Sequence, residues 1–169
     1  MTIKDLALAD FDREMESTRR FLERVPNDKL TWQPHEKSMT LGRLAMHLAE
    51  LPKGMLVVIN ENGFEFAAPG GPPPARREAT SSAEAVEVFD ANVALARQAL
   101  GTIDDTALEK PWTFKAFGQV RYTWPKIVAL RTRNLSHMIH HRAQLGVYLR
   151  LLGISLPPTP YGPSADERP

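Results

Sequence analysis

His137 and His141 stand four residues apart in the stretch His137-Met138-Ile139-His140-His141-Arg142-Ala143-Gln144, inside a long helical pattern. On a helix this spacing turns one side chain from the other by only about 40°. Two imidazoles one turn apart offer two ligands to a single metal ion. With His137 at zero, Leu130, Asn134, His141, Tyr148 and Leu152 fall within about 60° on one side, so the pair is central in the stripe that faces the core. His140 falls about 60° the other way, at the edge of that stripe, and an i, i+3 pair with His137 stays open. His47 is central in the apolar stripe of another helical segment, with Leu44, Leu51 and Val58 within about 60° of it.

Three inward imidazoles each carry a donor and an acceptor that burial must satisfy. A divalent metal satisfies all three at once, and three neutral imidazoles with an open fourth position are the ligand set of a catalytic zinc-type site. Nickel, iron and manganese accept the same set. Hydrogen-bonded core histidines are the other reading, and spacing alone does not choose between them. His35, beside Pro34 in a connector, reads as a surface histidine.

The elements that must position these residues are helical. Residues 3 to about 25 form a first amphipathic helix, with Thr2 and Asp5 as a capping box and Leu6, Leu8, Phe11, Met15, Phe21 and Leu22 on one face. Pro26-Asn27-Asp28 ends it, and Trp32 in the following connector is expected to pack over one end of a bundle. A second helix starts near Ser38-Met39-Thr40, carries His47, meets a candidate kink at Pro52, and stops at Asn60 to Gly63. Residues 64 to 80, with Pro69-Gly70-Gly71-Pro72-Pro73-Pro74, read as a loop whose Phe64 and Phe66 wall a pocket or join the core.

A third helix, about 82 to 100, follows the capping signal Ser81 to Glu84 and closes at Gly101. Trp112 to Lys115 and Gln119 to Tyr122, flanking Ala116-Phe117-Gly118, suggest a short hairpin or extended excursion. Thr123 then caps a fourth helix of about 28 residues, roughly 42 Å, that ends at Gly153. The expected fold is all-α: a four-helix bundle over residues 1–156, with that excursion before helix 4 and an extended, Pro-rich tail over 157–169. The long connections leave room for crossovers.

Composition narrows the function classes. The chain has 169 residues, 43% of them hydrophobic, which suits one domain with a real core. Its 21 basic and 20 acidic residues leave a net charge of +1, so nothing favours a nucleic-acid partner. The absence of cysteine removes thiolate ligands, a cysteine nucleophile and disulfides together. The N-terminus lacks the pattern of a signal peptide, and no apolar run approaches the roughly 20 residues of a membrane span. A soluble, cytoplasmic protein without membrane contact is the expectation.

Several motifs go further. Trp32-Gln33-Pro34, His47-Leu48-Ala49-Glu50, Asn134-Leu135-Ser136-His137, His141-Arg142-Ala143-Gln144 and Tyr148-Leu149-Arg150-Leu151-Leu152-Gly153 run into a Pro157-Pro158, Tyr161-Gly162 tail. Together they resemble the DinB/YfiT-like superfamily of metal-dependent enzymes over nearly the whole chain. The resemblance implies an up-down-down-up bundle, usually a homodimer, holding one divalent metal ion (Zn, Ni, Fe or Mn) per chain near one end. It carries the three ligand positions onto His47, His137 and His141. Members of known chemistry are thiol-dependent S-transferases using low-molecular-weight thiols, and a thiol-dependent maleylpyruvate isomerase.

The expected function is therefore that of a metal-dependent transferase or hydrolase, with the ion lowering the pKa of a bound water or thiol. A non-catalytic, metal-stapled dimeric bundle is the alternative; an open ligand position facing a pocket separates the two. Glu50, Gln144 and Asn134 are candidates to support the ligands from behind. Arg142 points about 140° away from His137 and is expected to bind a glutamate or a partner chain instead.

Overall fold

A computed structural model describes residues 1–167. Four long helices dominate: α1 (Ile3–Leu22), α2 (Leu41–Asn60), α3 (Ser82–Thr102) and α6 (His137–Leu151), with single-turn helices α4 (Asp105–Leu108) and α5 (Lys126–Ala129) between the last two. Their starts follow the sequence signals. The Thr2 hydroxyl accepts from the Asp5 N–H at 3.1 Å while the Asp5 carboxylate accepts from the Thr2 N–H at 2.9 Å. Thr40 and Ser81 accept from the Arg43 and Glu84 N–H groups in the same way. Each such cap is worth about 1 kcal/mol.

Side-chain pairings fix the helix directions. Arg19 bonds Asp90 and Arg97 bonds Asp12, so α1 and α3 are antiparallel. Arg131 reaches Asp10 and Arg142 reaches Glu14, so the chain through α6 runs parallel to α1. Asn92 donates to the Ala49 carbonyl near the middle of both α2 and α3, and the two helices start side by side, where the Ala79 N–H bonds the Gly42 carbonyl. The order is thus up-down-down-up. Both α1 and α2 pack on α3 and α6 and face each other only across the diagonal. The α1–α2 connection must therefore cross one end of the bundle. It does so through Leu30, whose carbonyl accepts from Gly42 at 2.8 Å, and Trp32, whose ring meets Tyr148 edge-on at 5.5 Å. Gly42 suits this close approach, because a Cβ would lie tightly, 3.1 Å from the Ala79 oxygen and 3.2 Å from that of Leu30.

Phe11, Leu22, Leu44, Leu48, Phe89, Leu100, Met138 and Leu145 form the buried centre. Each such side chain contributes about 1.5–3 kcal/mol through removal from water. Pro52 lies inside α2 without ending it. Among the described residues no helix is long and apolar enough to cross a membrane.

The expectation of an all-α chain fails at one place. A three-stranded sheet, β1 (Gly63–Glu65), β2 (Pro111–Ala116) and β3 (Gln119–Pro125), flanks the helices; β1 pairs parallel with β2 and β2 antiparallel with β3. The hairpin expected around Ala116-Phe117-Gly118 is present, with Phe117 at φ 56° and Gly118 at φ 77° at its tip, the left-handed pair that a tight two-residue turn needs. β1 occupies the start of the expected 64–80 loop, because its partner strand lies far along the chain and pairing, not local pattern, makes it a strand.

The fourth helix also departs from expectation. Thr123 is a β3 residue, bonded through its hydroxyl to that of Thr113 at 2.9 Å, rather than a helix cap. Helical backbone begins at Lys126, and residues Leu130–Ser136 are wound as a π-helix before α6. At the other ends, α1 stops at Leu22 and α3 continues through Gly101 to Thr102. In the tail, Asp166 accepts from Arg150 and from the Leu156 N–H, pinning the chain to the end of α6. Arg168 and Pro169, the end of the expected extended tail, lie outside the described residues.

Candidate metal centre

His47 projects from the middle of α2, and His137 and His141 from the first turns of α6, which runs antiparallel beside it. Their ring nitrogens converge. His137 Nε2 lies 3.4 Å from His47 Nε2 and 2.8 Å from His141 Nε2, and one ligand atom from each residue lies within 4.8 Å of the others. His140 is exposed; its ring touches His141 edge-on but does not join the three. His35 is exposed too, and its Nδ1 accepts from the Lys37 N–H.

His137 is held at the junction of the π-helical segment and α6. The His137 N–H bonds the Asn134 carbonyl rather than the one four residues back. The Arg133 carbonyl meets the His137 ring instead, with Nδ1 at 3.1 Å. A carbonyl oxygen only accepts, so Nδ1 carries the proton and Nε2 presents a lone pair. His141 is oriented likewise: its Nδ1 lies 2.7 Å from Gln144 Oε1, again leaving a lone pair on Nε2.

The two Nε2 atoms then meet lone pair to lone pair across 2.8 Å, and neither has a proton to give the other. Protonating a ring would relieve this, but burial opposes it. Burial first, then the nearby charges of His141, His137, Arg43 and Arg76, push His47 down to about 3. Burial brings His141 to about 4 against the opposing bond to Gln144, and lowers His137 as well. A cation among the three nitrogens resolves the conflict. Tetrahedral coordination at about 2.0–2.1 Å sets ligand nitrogens roughly 3.3 Å apart, and the observed 2.8 and 3.4 Å bracket that spacing. The three histidines are positioned to bind a metal ion.

They also open on one side to a cavity of about 580 Å³ walled by Met39, Arg43, Glu50, Leu51, Phe66, Phe114, Arg133 and Asn134. Of the supporting residues expected from sequence, Gln144 orients a histidine. Asn134 is buried, donates to the Leu51 carbonyl at 3.4 Å, and leaves its Oδ1 without a partner. Gly54 leaves the space for it, since a Cβ there would lie 2.5 Å from Asn134 Nδ2. Glu50 stands in the cavity wall, 4.0 Å from Arg77, and touches no histidine through a hydrogen bond. Phe66 does wall the pocket, while Phe64 stacks on Phe114. Arg142 turns away and bonds Glu14 at 2.7 Å.

Sequence reasoning overlooked Arg43 and Arg133. Each stands four residues before a site histidine, the same one-turn spacing that marked the His137–His141 pair, so the same rule would have found them. Arg76 comes from an irregular segment and carried no such signal.

An up-down-down-up helical scaffold that brings three imidazoles from two helices together beside a cavity defines a class of helical proteins with a three-histidine metal-binding centre. This chain belongs to the DinB family, whose model matches residues 1–168. Among solved structures, it is similar to a DinB-like protein from Bacillus cereus ATCC 10987, at 25% identity and a TM-score of 0.65 over 89% of this chain and 93% of that one. A DinB-like protein, YjoA, from Bacillus subtilis shares the fold at 18% identity, with a TM-score of 0.64 over 88% and 92% of the two chains. No protein of curated function matches the chain.

Proposed function

We propose that this protein is a metal-dependent enzyme that holds one divalent ion on His47, His137 and His141 and uses it on a water or a low-molecular-weight thiol. The observation that carries the reading is the convergence of His137 Nε2 and His141 Nε2 to 2.8 Å, with an acceptor oxygen against Nδ1 of each ring. Such outer partners hold the tautomer that a metal requires. A divalent cation on three neutral imidazoles lowers the pKa of a water or thiol in its open position towards neutrality.

The chain's own residues do the rest. The Arg133 carbonyl and Gln144 keep the Nδ1 protons in place. Leu51, Phe66 and Phe114 exclude water from part of the cavity, and Asn134 lines it beside the histidines. The open side next to the histidines favours catalysis over a structural staple, because a staple closes its ligand shell with protein. The family resemblance supports the thiol as co-substrate, a homodimeric assembly and a cytoplasmic location.

Metal analysis of purified protein tests the centre: about one divalent ion per chain is expected, and none in the His137→Ala, His141→Ala double variant. Loaded wild type should then consume a small electrophile only with an added thiol or by hydrolysis, and the double variant should do neither. Full metal retention by that variant would sink the site.

A further inference from the structure

Three arginines face the cavity beside the histidines, and among the described residues one carboxylate, Glu50, shares its wall with them. Arg43 is one turn before His47 on α2, and its Nε is buried with no hydrogen-bond partner. Among the described residues its one side-chain hydrogen bond is a long 3.4 Å bond from Nη1 to the Arg77 carbonyl. Glu50 and Glu78 are near enough to favour its charge, yet among the described residues neither forms an ion pair with it. Arg76 is close enough to repel it, and both arginines disfavour charge on His47. Arg133 lies 4.0 Å over the Phe114 ring and, among the described residues, has no carboxylate partner either.

Three cations against the one carboxylate of the wall, with a buried Arg43 N–H that has no hydrogen-bond partner, form a seat that lacks its acceptor. A guanidinium offers a planar fork that matches a carboxylate, and such charge-assisted bonds strengthen in a water-poor pocket. The presence of Glu50 in the same wall favours a singly charged group over a dianionic one.

We propose that the substrate acted on at the metal centre is a small carboxylic acid whose carboxylate is held by Arg43 and Arg76. This deepens the preceding reading and rests on it for the reacting end. Arg43 reaches the carboxylate through its Nη atoms, whose one hydrogen bond among the described residues is the long one to the Arg77 carbonyl, and the remainder of the molecule lies along the cavity past the histidines. Arg133 faces the other end through its cationic edge.

Calorimetric titration of zinc-loaded protein with two probes that differ only in charge, 3-phenylpropionate and 3-phenylpropanamide, tests the seat. The acid is expected to bind at least about tenfold more tightly than the amide. The Arg43→Gln, Arg76→Gln variant should reduce that advantage to within a factor of about two, at unchanged zinc content and circular dichroism, while Arg43→Lys keeps most of it. An amide that binds as well as the acid to wild type overturns the proposal. So does an advantage that survives in Arg43→Gln, Arg76→Gln but vanishes when zinc is stripped, which would put the carboxylate on the metal. If wild type takes up no zinc while the advantage is still lost in the arginine variant, the metal reading fails and the anion seat stands.

Discussion

Two buried polar clusters sit on opposite faces of α6, and His141 and Arg142 are neighbours in the chain. On the Arg142 face every group finds its complement. Arg142 donates to the Glu14 carboxylate at 2.7 Å, to the Glu14 carbonyl at 3.1 Å and to the Thr18 hydroxyl at 3.3 Å, while Thr18 donates to the same carbonyl. Glu14 and Arg142 are each 2% exposed, so this cluster is closed to solvent and ligand alike. On the histidine face the opposite holds: like groups converge, acceptor towards acceptor, beside a cavity. Both clusters are expensive to bury. One offsets the expense internally and serves the fold, whereas the other needs something from outside the chain and marks the place of chemistry.

The sharpest way to break this contrast is at the closed cluster. Arg142→Met removes the close partner of the buried Glu14 carboxylate and leaves it only the longer contacts to Arg13 at 3.6 Å and Tyr161 at 3.5 Å, so urea unfolding should show a loss of about 3–5 kcal/mol. Metal content per folded chain should stay unchanged. A loss of metal at intact stability would mean that the two faces are not separate.

On the histidine face, Gln144→Ala should leave stability nearly untouched yet weaken metal binding by about 10–100-fold, measured by competition with a chromophoric chelator. Equal affinity in the two proteins would remove Gln144 from its orienting role.

The third test is graded. Without a metal, burial pushes His47 down to about 3 and His141 down to about 4, from the ordinary histidine value of 6.5. The unfolded chain then binds more protons than the folded one between those values, so stability is fully present above about pH 6.5 and falls as pH drops towards 4 and 3. The unfolding midpoint should decline with a shallower slope between pH 6.5 and 4.5 in His141→Asn than in wild type. Identical slopes would show that burial does not hold this ring neutral.

The helical frame was legible because its signals are local. Thr2, Thr40 and Ser81 announce the starts of α1, α2 and α3, and apolar residues at three-to-four spacing define the buried faces. The three histidines were legible for the same reason, each central in a stripe whose phase a wheel can track. What escaped depends on distant or non-ideal geometry. β1 is a strand only because Thr113 to Lys115 lie beside it. Residues 123–136 fit a helical pattern, but the first three complete a strand pairing and Leu130 to Ser136 widen into a π-helix, neither of which has a period that a 3.6-residue wheel detects. Because the π-turn ends before His137, the phase from His137 to His141 remained correct, and the error upstream did not reach the ligands.

The crossover that sets α1 and α2 on a diagonal has a consequence for biosynthesis. His137 follows His47 by 90 residues. At a translation rate of about 5–20 residues per second, His47 waits roughly 5–18 s before its first partner exists. During that interval α2 presents an apolar face and a lone imidazole with no site to join, so a nascent chain cannot capture metal at this centre before its last long helix is made.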